Sequence, residues 1–143
     1  MNIWQFQHKL SKRLLWWSGG SVVTGLFLLR GGKFWRGVGW QFIGWGAIDA
    51  GIALFGRVSM NERLNTMDNP GVAEVQEKET SNLTRLLWIN AALDVFYVIG
   101  GKRWADGDDG KGDRSGHGLG VVLQGAFLLF FDVYHALTAP KEK

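Results

Sequence analysis

The fold of this chain is decided by the segment of residues 85–102, which reads RLLWINAALDVFYVIGGK. Apart from one Asn and one Asp it is apolar, and basic residues stand only at its two ends. This pattern is typical of a membrane span, which needs about 20 residues although about 17 can serve. The apolar part is short, but nothing between residues 72 and 84 breaks a helix and Asn69-Pro70 is a natural start signal. We therefore expect a membrane helix that begins well before residue 85.

Three further apolar runs occupy residues 14–29, 37–55 and about 118–138. Together with the first segment they predict an all-α fold, a four-helix transmembrane bundle. The alternative is a soluble four-helix bundle with wide apolar faces. Against that alternative, residues 22–29 and 125–131 leave no polar face on a helix.

Three short patterns occur twice along the chain, in the same order. They are RLLW (13–16 and 85–88), GGK-x-W (31–35 and 100–104) and G-x3-Q-x7-D (37–49 and 120–132). Repetition of this kind is typical of a fold built from copies of one unit. The patterns predict two tandem helical-hairpin repeats.

The repeats divide one integral membrane domain of residues 1–143. Repeat 1 covers about 13–56, a polar connector covers 57–84, and repeat 2 covers about 85–138. Because each unit has two spans, both copies point the same way. We therefore expect a parallel pseudo-twofold axis along the membrane normal.

The composition agrees with a membrane location. The 143 residues include 21 Gly, eight Trp and no Cys. Glycine allows helix backbones to approach closely and tryptophan anchors at the lipid headgroups. The net charge of +3 indicates attraction to anionic lipid rather than to nucleic acid. A small excess of Lys and Arg in the N-terminal segment, the connector and the tail predicts cytoplasmic termini.

Two blocks in the second half carry a family resemblance. One is residues 87–100, LWINAALDVFYVIG, and the other combines GHGLG at 116–120 with QGAFLL at 124–129 and Asp132. They resemble a family of small bacterial four-helix integral membrane proteins, a domain of unknown function. The resemblance covers residues 80–135 well and the first half more loosely. It implies the fold and a multi-pass location in the bacterial inner (cytoplasmic) membrane, and it implies no activity.

Three acids lie inside the predicted spans: Asp49, Asp94 and Asp132. By helical rise they lie roughly 12, 14 and 9 Å, respectively, from the helix ends that face the termini. All three are therefore expected in the half of the membrane on that side. Gln41 and Gln124 are expected toward the opposite face, which predicts a carboxylate layer and a separate carboxamide layer.

Three acids in one apolar layer cannot all be charged unless a cation or strong donors compensate them. No Lys or Arg lies inside a predicted span. In a structural interpretation each acid is protonated or hydrogen-bonds to Trp, Tyr, Asn or Gln on a neighbouring helix and locks its register. In a functional interpretation the cluster binds a cation or passes protons.

His135 follows Asp132 by three residues, so the two share a helix face and an acid–imidazole proton relay is one interpretation. The other is an interfacial histidine with an exposed polar tip. The candidate polar or ion site comprises Asp49, Asp94, Asp132, Asn90, Gln41, Gln124, His135 and Tyr97.

The sequence contains no nucleophile–base pair, phosphate-binding loop, metal-ligand spacing or nucleotide motif. We therefore expect neither an enzyme nor a cofactor, metal or nucleic-acid partner. The expected partners are the lipid bilayer and either a second copy of the chain or another membrane protein. The first hypothesis is a structural, accessory or interaction protein of the membrane. The alternative is a small channel, carrier or ligand-binding protein that uses the Asp cluster for a cation or proton.

Overall fold

The computed structural model describes residues 1–141, and over that range its only regular elements are α-helices, with no strand. The last two residues of the expected domain lie outside the described part. The helices are α1 (Ile3–Leu28), α2 (Lys33–Thr66), α3 (Ala73–Ala105) and α4 (Asp113–Thr138). Each helix contains one of the four apolar runs. The predicted all-α four-helix fold is confirmed.

In the described part of the chain, three helices are long and apolar enough to cross a membrane: α2, α3 and α4. Helix α1 has 26 residues, but Lys9, Lys12 and Arg13 lie in its first half, and serines, glycines and tryptophans interrupt its apolar run. Two of those serines, Ser18 and Ser21, are buried against the bundle. Near its end α1 exposes the apolar side chains of Val23, Leu26 and Phe27 together with Thr24.

Most of the polar connector 57–84 is helical in the structure. Helix α2 continues to Thr66 and α3 begins at Ala73, so only residues 67–72 of the connector are non-helical. The early start of the third helix agrees with the Asn69-Pro70 signal, whereas the continuation of α2 beyond its apolar run was not part of the expected repeat. Polar residues lower a helix's affinity for lipid without breaking it, and the first residue that does break it is Pro70.

The helical extensions of α2 and α3 form a small core with the start of α1. The Trp4 indole Nε1–H donates to the carbonyl oxygen of Pro70 at 2.9 Å. The buried residues of this core are Ile3, Trp4, Phe6, Met60 and Ala139. The chain termini and the α2–α3 turn are thereby held together at one end of the bundle.

Close backbone contact joins the helices along their length. Helix α2 packs on both α1 and α4, and α3 packs on α4. Between α1 and α2, a Cβ added at Gly25 would lie 2.6 Å from the Gly39 carbonyl oxygen, and one at Gly39 would lie 2.7 Å from the Gly25 oxygen. Between α2 and α4, a Cβ at Gly37 would lie 2.7 Å from the Asp113 oxygen. Small residues at such crossings let membrane helices gain van der Waals contact.

The loop between α3 and α4 is tied to the start of α4. The backbone N–H of Ser115 donates to the Asp108 carboxylate at 3.2 Å, and the Ser115 hydroxyl donates to the same carboxylate. These hydrogen bonds lower the pKa of Asp108. A carboxylate here satisfies a free N–H of the first helical turn and favours the positive end of the helix dipole.

The glycine contacts lead to a stability prediction with a matched control in the same helix. We expect Gly39→Ala to destabilise the protein by about 1–3 kcal/mol, because the new methyl group meets backbone that cannot move aside. Gly44→Ala adds the same methyl where nothing lies within 4 Å, so it should be neutral or slightly stabilising. Denaturant unfolding of the purified protein in detergent measures both. Equal stability of the two variants would contradict the packing argument.

Candidate functional site

The three acids of α2, α3 and α4 line one cavity of about 170 Å³. Asp49, Asp94 and Asp132 are only 2%, 4% and 7% exposed. The rest of the lining is Leu14, Trp45, Ile48, Ile52, Asn90, Leu93, Tyr97, Leu128 and Phe131. The carboxyl groups of three helices therefore share one largely apolar and aromatic space.

The carboxyl groups lie close enough to affect one another. Asp94 and Asp132 lie within hydrogen-bonding range of each other, and Asp49 is near enough to interact electrostatically with both. A carboxyl group can hydrogen-bond to another only if one of them carries a proton, since ionised carboxylates only accept. A hydrogen bond between Asp94 and Asp132 would therefore use one shared proton.

Two oxygens of the cluster have no partner. Asp49 Oδ2 and Asp94 Oδ2 are buried and accept no hydrogen bond from the described residues. The cavity lining given by those residues includes no Lys or Arg. A buried polar atom without a partner costs free energy, so these oxygens mark a place where a proton or another donor would be stabilised.

Only some of the hydrogen-bond donors expected for the acids lie beside them. Asn90 and Tyr97 do line the cavity. Trp17 instead directs its indole N–H to the side-chain oxygen of Gln124, at 3.2 Å. The structure thus brings five of the eight candidate residues to one cavity, namely Asp49, Asp94, Asp132, Asn90 and Tyr97.

An aromatic pair stands beside the acids on the side away from the termini. Trp45 and Tyr97 meet edge to face across α2 and α3, with ring centroids 5.0 Å apart. Trp45 is one turn before Asp49 in α2, and Tyr97 is about one turn after Asp94 in α3. Because the two helices run in opposite directions, both rings lie on the same side of the acids.

On the side of the termini, a second cavity of about 380 Å³ lies between α2 and α3 and shares Ile52 with the first. Its polar lining includes an ion pair between Arg63 Nε and Glu79 Oε1, 3.2 Å apart. Gln7 of α1 accepts from Arg63 and donates to Glu79, each at 3.4 Å. Sequence reasoning expected the third helix to begin well before residue 85, which includes Glu79, but it did not single out Arg63, Glu79 or Gln7 as a cluster. Their pairing depends on packing between helices, which no motif in the sequence signals.

The two glutamines lie apart from the acid cavity. Gln124 is fully buried, accepts from Trp17 and donates to the Ser21 hydroxyl at 3.2 Å. Gln41 donates to Nδ1 of His117 at 2.9 Å. Both amides therefore join helices, and neither lines the 170 Å³ cavity.

His135 is buried rather than interfacial, with 2% of its surface exposed. Its Nδ1 lies 2.7 Å from the Phe131 carbonyl oxygen and its Nε2 lies 3.1 Å from Arg13 Nη1. A carbonyl only accepts and a guanidinium only donates, so Nδ1 carries the proton and Nε2 is the acceptor. Both ring nitrogens are thus engaged by Phe131 and Arg13, and neither contacts Asp132 in the described part of the chain.

Among residues 1–141, no group of three or more His, Asp or Glu side chains is arranged to hold a metal ion. The site therefore consists of buried carboxyl groups that no basic residue of the described lining neutralises and that are only partly hydrogen-bonded. The fold and this site define a four-helix protein with membrane-length helices and an internal carboxylate cavity.

A family model matches residues 13–133, so the chain belongs to DUF6992, a family of unknown function. This confirms the resemblance to a domain of unknown function; the bacterial origin that it implied stays a prediction. No curated protein and no solved structure matches the chain.

The geometry of His135 predicts its tautomer. In ¹⁵N NMR spectra of histidine-labelled protein at neutral pH, we expect His135 to be neutral with its proton on Nδ1. His8 is an internal reference. Its Nδ1 and Nε2 lie 3.5 and 3.4 Å from the same Arg57 nitrogen, so its contacts favour neither tautomer of the ring. An Nε2-protonated His135 would show that the bond to Phe131 or to Arg13 is not formed.

Proposed function

We propose that this protein is an integral membrane protein that takes up and releases protons at Asp49, Asp94 and Asp132, as the proton-binding step of a small channel or carrier. The observation that carries the proposal is the pair of buried carboxylate oxygens without a partner, Asp49 Oδ2 and Asp94 Oδ2, in a cavity shared by three helices. Intramembrane acids are costly, and they mark ion and proton pathways in membrane proteins.

The proposal includes four membrane spans. Helix α1 is 26 residues long, roughly 39 Å of rise, which is more than a bilayer core requires. Its buried serines and apolar outer residues support its crossing the membrane beside the other three. We further propose a bacterial inner membrane with both termini in the cytoplasm, and the origin of the bundle from two repeated hairpins.

A proton fits the cluster better than a metal ion does. The Asp94–Asp132 pair lies within hydrogen-bonding range, which favours one shared proton over two charges. Metal binding would require several ligands to converge on one point, and the described residues include no such group. Proton binding requires no change in the positions of the helices.

Access is proposed from the side of the termini. The larger cavity is lined by Arg63 and Glu79, and it shares the lining residue Ile52 with the acid cavity. On the far side, the contact of Trp45 with Tyr97 limits access. A complete pathway would therefore require these two rings to separate, which is a conformational step suited to a carrier.

A structural or accessory role makes a different demand on the same residues. If the acids only lock helix register, each should be fully satisfied in a closed core. The two oxygens without a partner count against that role as the whole explanation. The structural role would be the correct one if the protein moved no protons and the acids affected only its assembly with a second copy or with another membrane protein.

The test is proton flux into vesicles that contain the purified protein and a pH-sensitive dye, after a pH jump. We expect faster flux than in empty vesicles, and its loss in Asp94→Asn, which cannot exchange a proton. The new amide can donate to Asp132, so the variant should fold normally. Asp109→Asn, the same change in the exposed α3–α4 loop, should keep the wild-type flux.

Infrared spectroscopy gives an independent measurement, because a protonated carboxyl group has its own C=O stretching band. We expect this band in the wild type near neutral pH and a smaller one in Asp94→Asn. Wild-type flux no faster than in empty vesicles, with no such band, would contradict the proposal and favour the structural role.

A further inference from the structure

A groove of about 760 Å³ runs along the outer surface of α1 and ends beside α2. It is separate from the acid cavity and shares no lining residue with it. Two adjacent glycines, Gly19 and Gly20, lie in the groove, and a Cβ at either would meet nothing within 4 Å. Unlike Gly25, these glycines do not serve contact between helices. They leave a hollow on the surface that faces away from the bundle.

One end of the groove is basic and the rest is mostly apolar. His8, Lys12 and Arg57 line the end near the N-terminus, and Arg57 Nη2 lies within 3.5 Å of both ring nitrogens of His8. Among residues 1–141, those that line the groove include no Asp or Glu. In the described part of the chain, neither Lys12 nor Arg57 forms a salt bridge. The charge at this end is therefore available to an anion. The remaining lining residues are Leu15, Trp16, Gly19, Gly20, Val23 and Thr24.

We propose that this groove binds one anionic phospholipid. Its phosphate would contact Lys12 and Arg57, and an acyl chain would lie over Gly19 and Gly20 toward Val23. The proposal rests on the membrane location proposed above but not on proton binding.

The length of the groove supports a lipid rather than a small anion. From Lys12 to Val23 the helix rises roughly 16 Å. One leaflet contributes about 15 Å of hydrocarbon, half of a core about 30 Å thick. Trp16, 76% exposed, lies one turn from Lys12, where an indole ring meets the headgroup region.

The positive charge at the basic end of the groove agrees with the anionic lipid of the cytoplasmic leaflet. The basic end of the groove is on the side of the termini, for which we propose the cytoplasm. Anionic lipids give the cytoplasmic surface its negative potential, and each nearby Lys or Arg strengthens binding to them. A zwitterionic lipid has no net charge to offer to Lys12 and Arg57.

The experiment is a titration of the purified protein in detergent with phosphatidylglycerol, followed by native mass spectrometry and by the thermal unfolding midpoint. We expect one saturable lipid and a rise in the midpoint, with much weaker effects of phosphatidylcholine. The double variant Lys12→Gln, Arg57→Gln should weaken binding roughly 30-fold. The matched control, Lys33→Gln with Arg36→Gln, removes the same charge at the opposite end of the bundle and should bind normally.

The hollow is tested separately by Gly20→Leu, which keeps the basic end and fills the space for the acyl chain. The variant should fold as the wild type does in lipid-free detergent, since nothing lies within 4 Å of the added Cβ, yet bind the lipid weakly. Normal binding by Gly20→Leu would overturn the proposal. So would equal loss in the Lys33/Arg36 control, or the same stabilisation by inorganic phosphate alone.

Failure of the lipid proposal can be distinguished from failure of the proton proposal. Asp94→Asn should lose proton flux and keep its lipid, while the Lys12/Arg57 variant should lose its lipid and keep the infrared band of the protonated carboxyl group. If Asp94→Asn lost the lipid as well, the groove would not be the independent site proposed here.

Discussion

Contact between glycine-bearing helix backbones is the constraint on which the rest of this structure depends. Helix α2 meets α1 where Gly25 and Gly39 face each other, and it meets α4 at Gly37. In lipid the hydrophobic effect does not drive helices together, so close van der Waals contact has to do so. With α2 held against both α1 and α4, and α3 held against α4, the distance between α2 and α3 is left larger. The acid cavity and the cavity that contains Arg63 and Glu79 both lie between α2 and α3.

The acids and the glycines are therefore linked. The cavity at the level of Asp49, Asp94 and Asp132 exists because the helices that carry them are fixed by contacts elsewhere. A dry core would have to satisfy every carboxyl oxygen, and within residues 1–141 this one offers no hydrogen-bond partner to Asp49 Oδ2 or Asp94 Oδ2. Incomplete satisfaction is expensive and is typical of sites where a proton or ligand completes the arrangement.

Sequence reasoning predicted part of the candidate site. The shared depth of Asp49, Asp94 and Asp132 followed from helical rise and alternating direction, and all three line one cavity. The partners of the other polar residues did not follow. Gln124 pairs with Trp17 and Ser21, and His135 pairs with Arg13, because helix rotation decides which side chains meet. Depth depends on residue number alone, whereas rotation depends on packing between helices.

The sequence by itself determined that there are four helices, because four apolar runs are separated by segments rich in charged residues, Gly or Pro. It also determined which acids share a level in the bundle. Only the tertiary structure decided that α2 continues as a helix to Thr66, that Arg63 pairs with Glu79, and that Trp45 meets Tyr97 beside the acids. These outcomes depend on contacts between residues distant in the chain, which local polarity and periodicity do not encode.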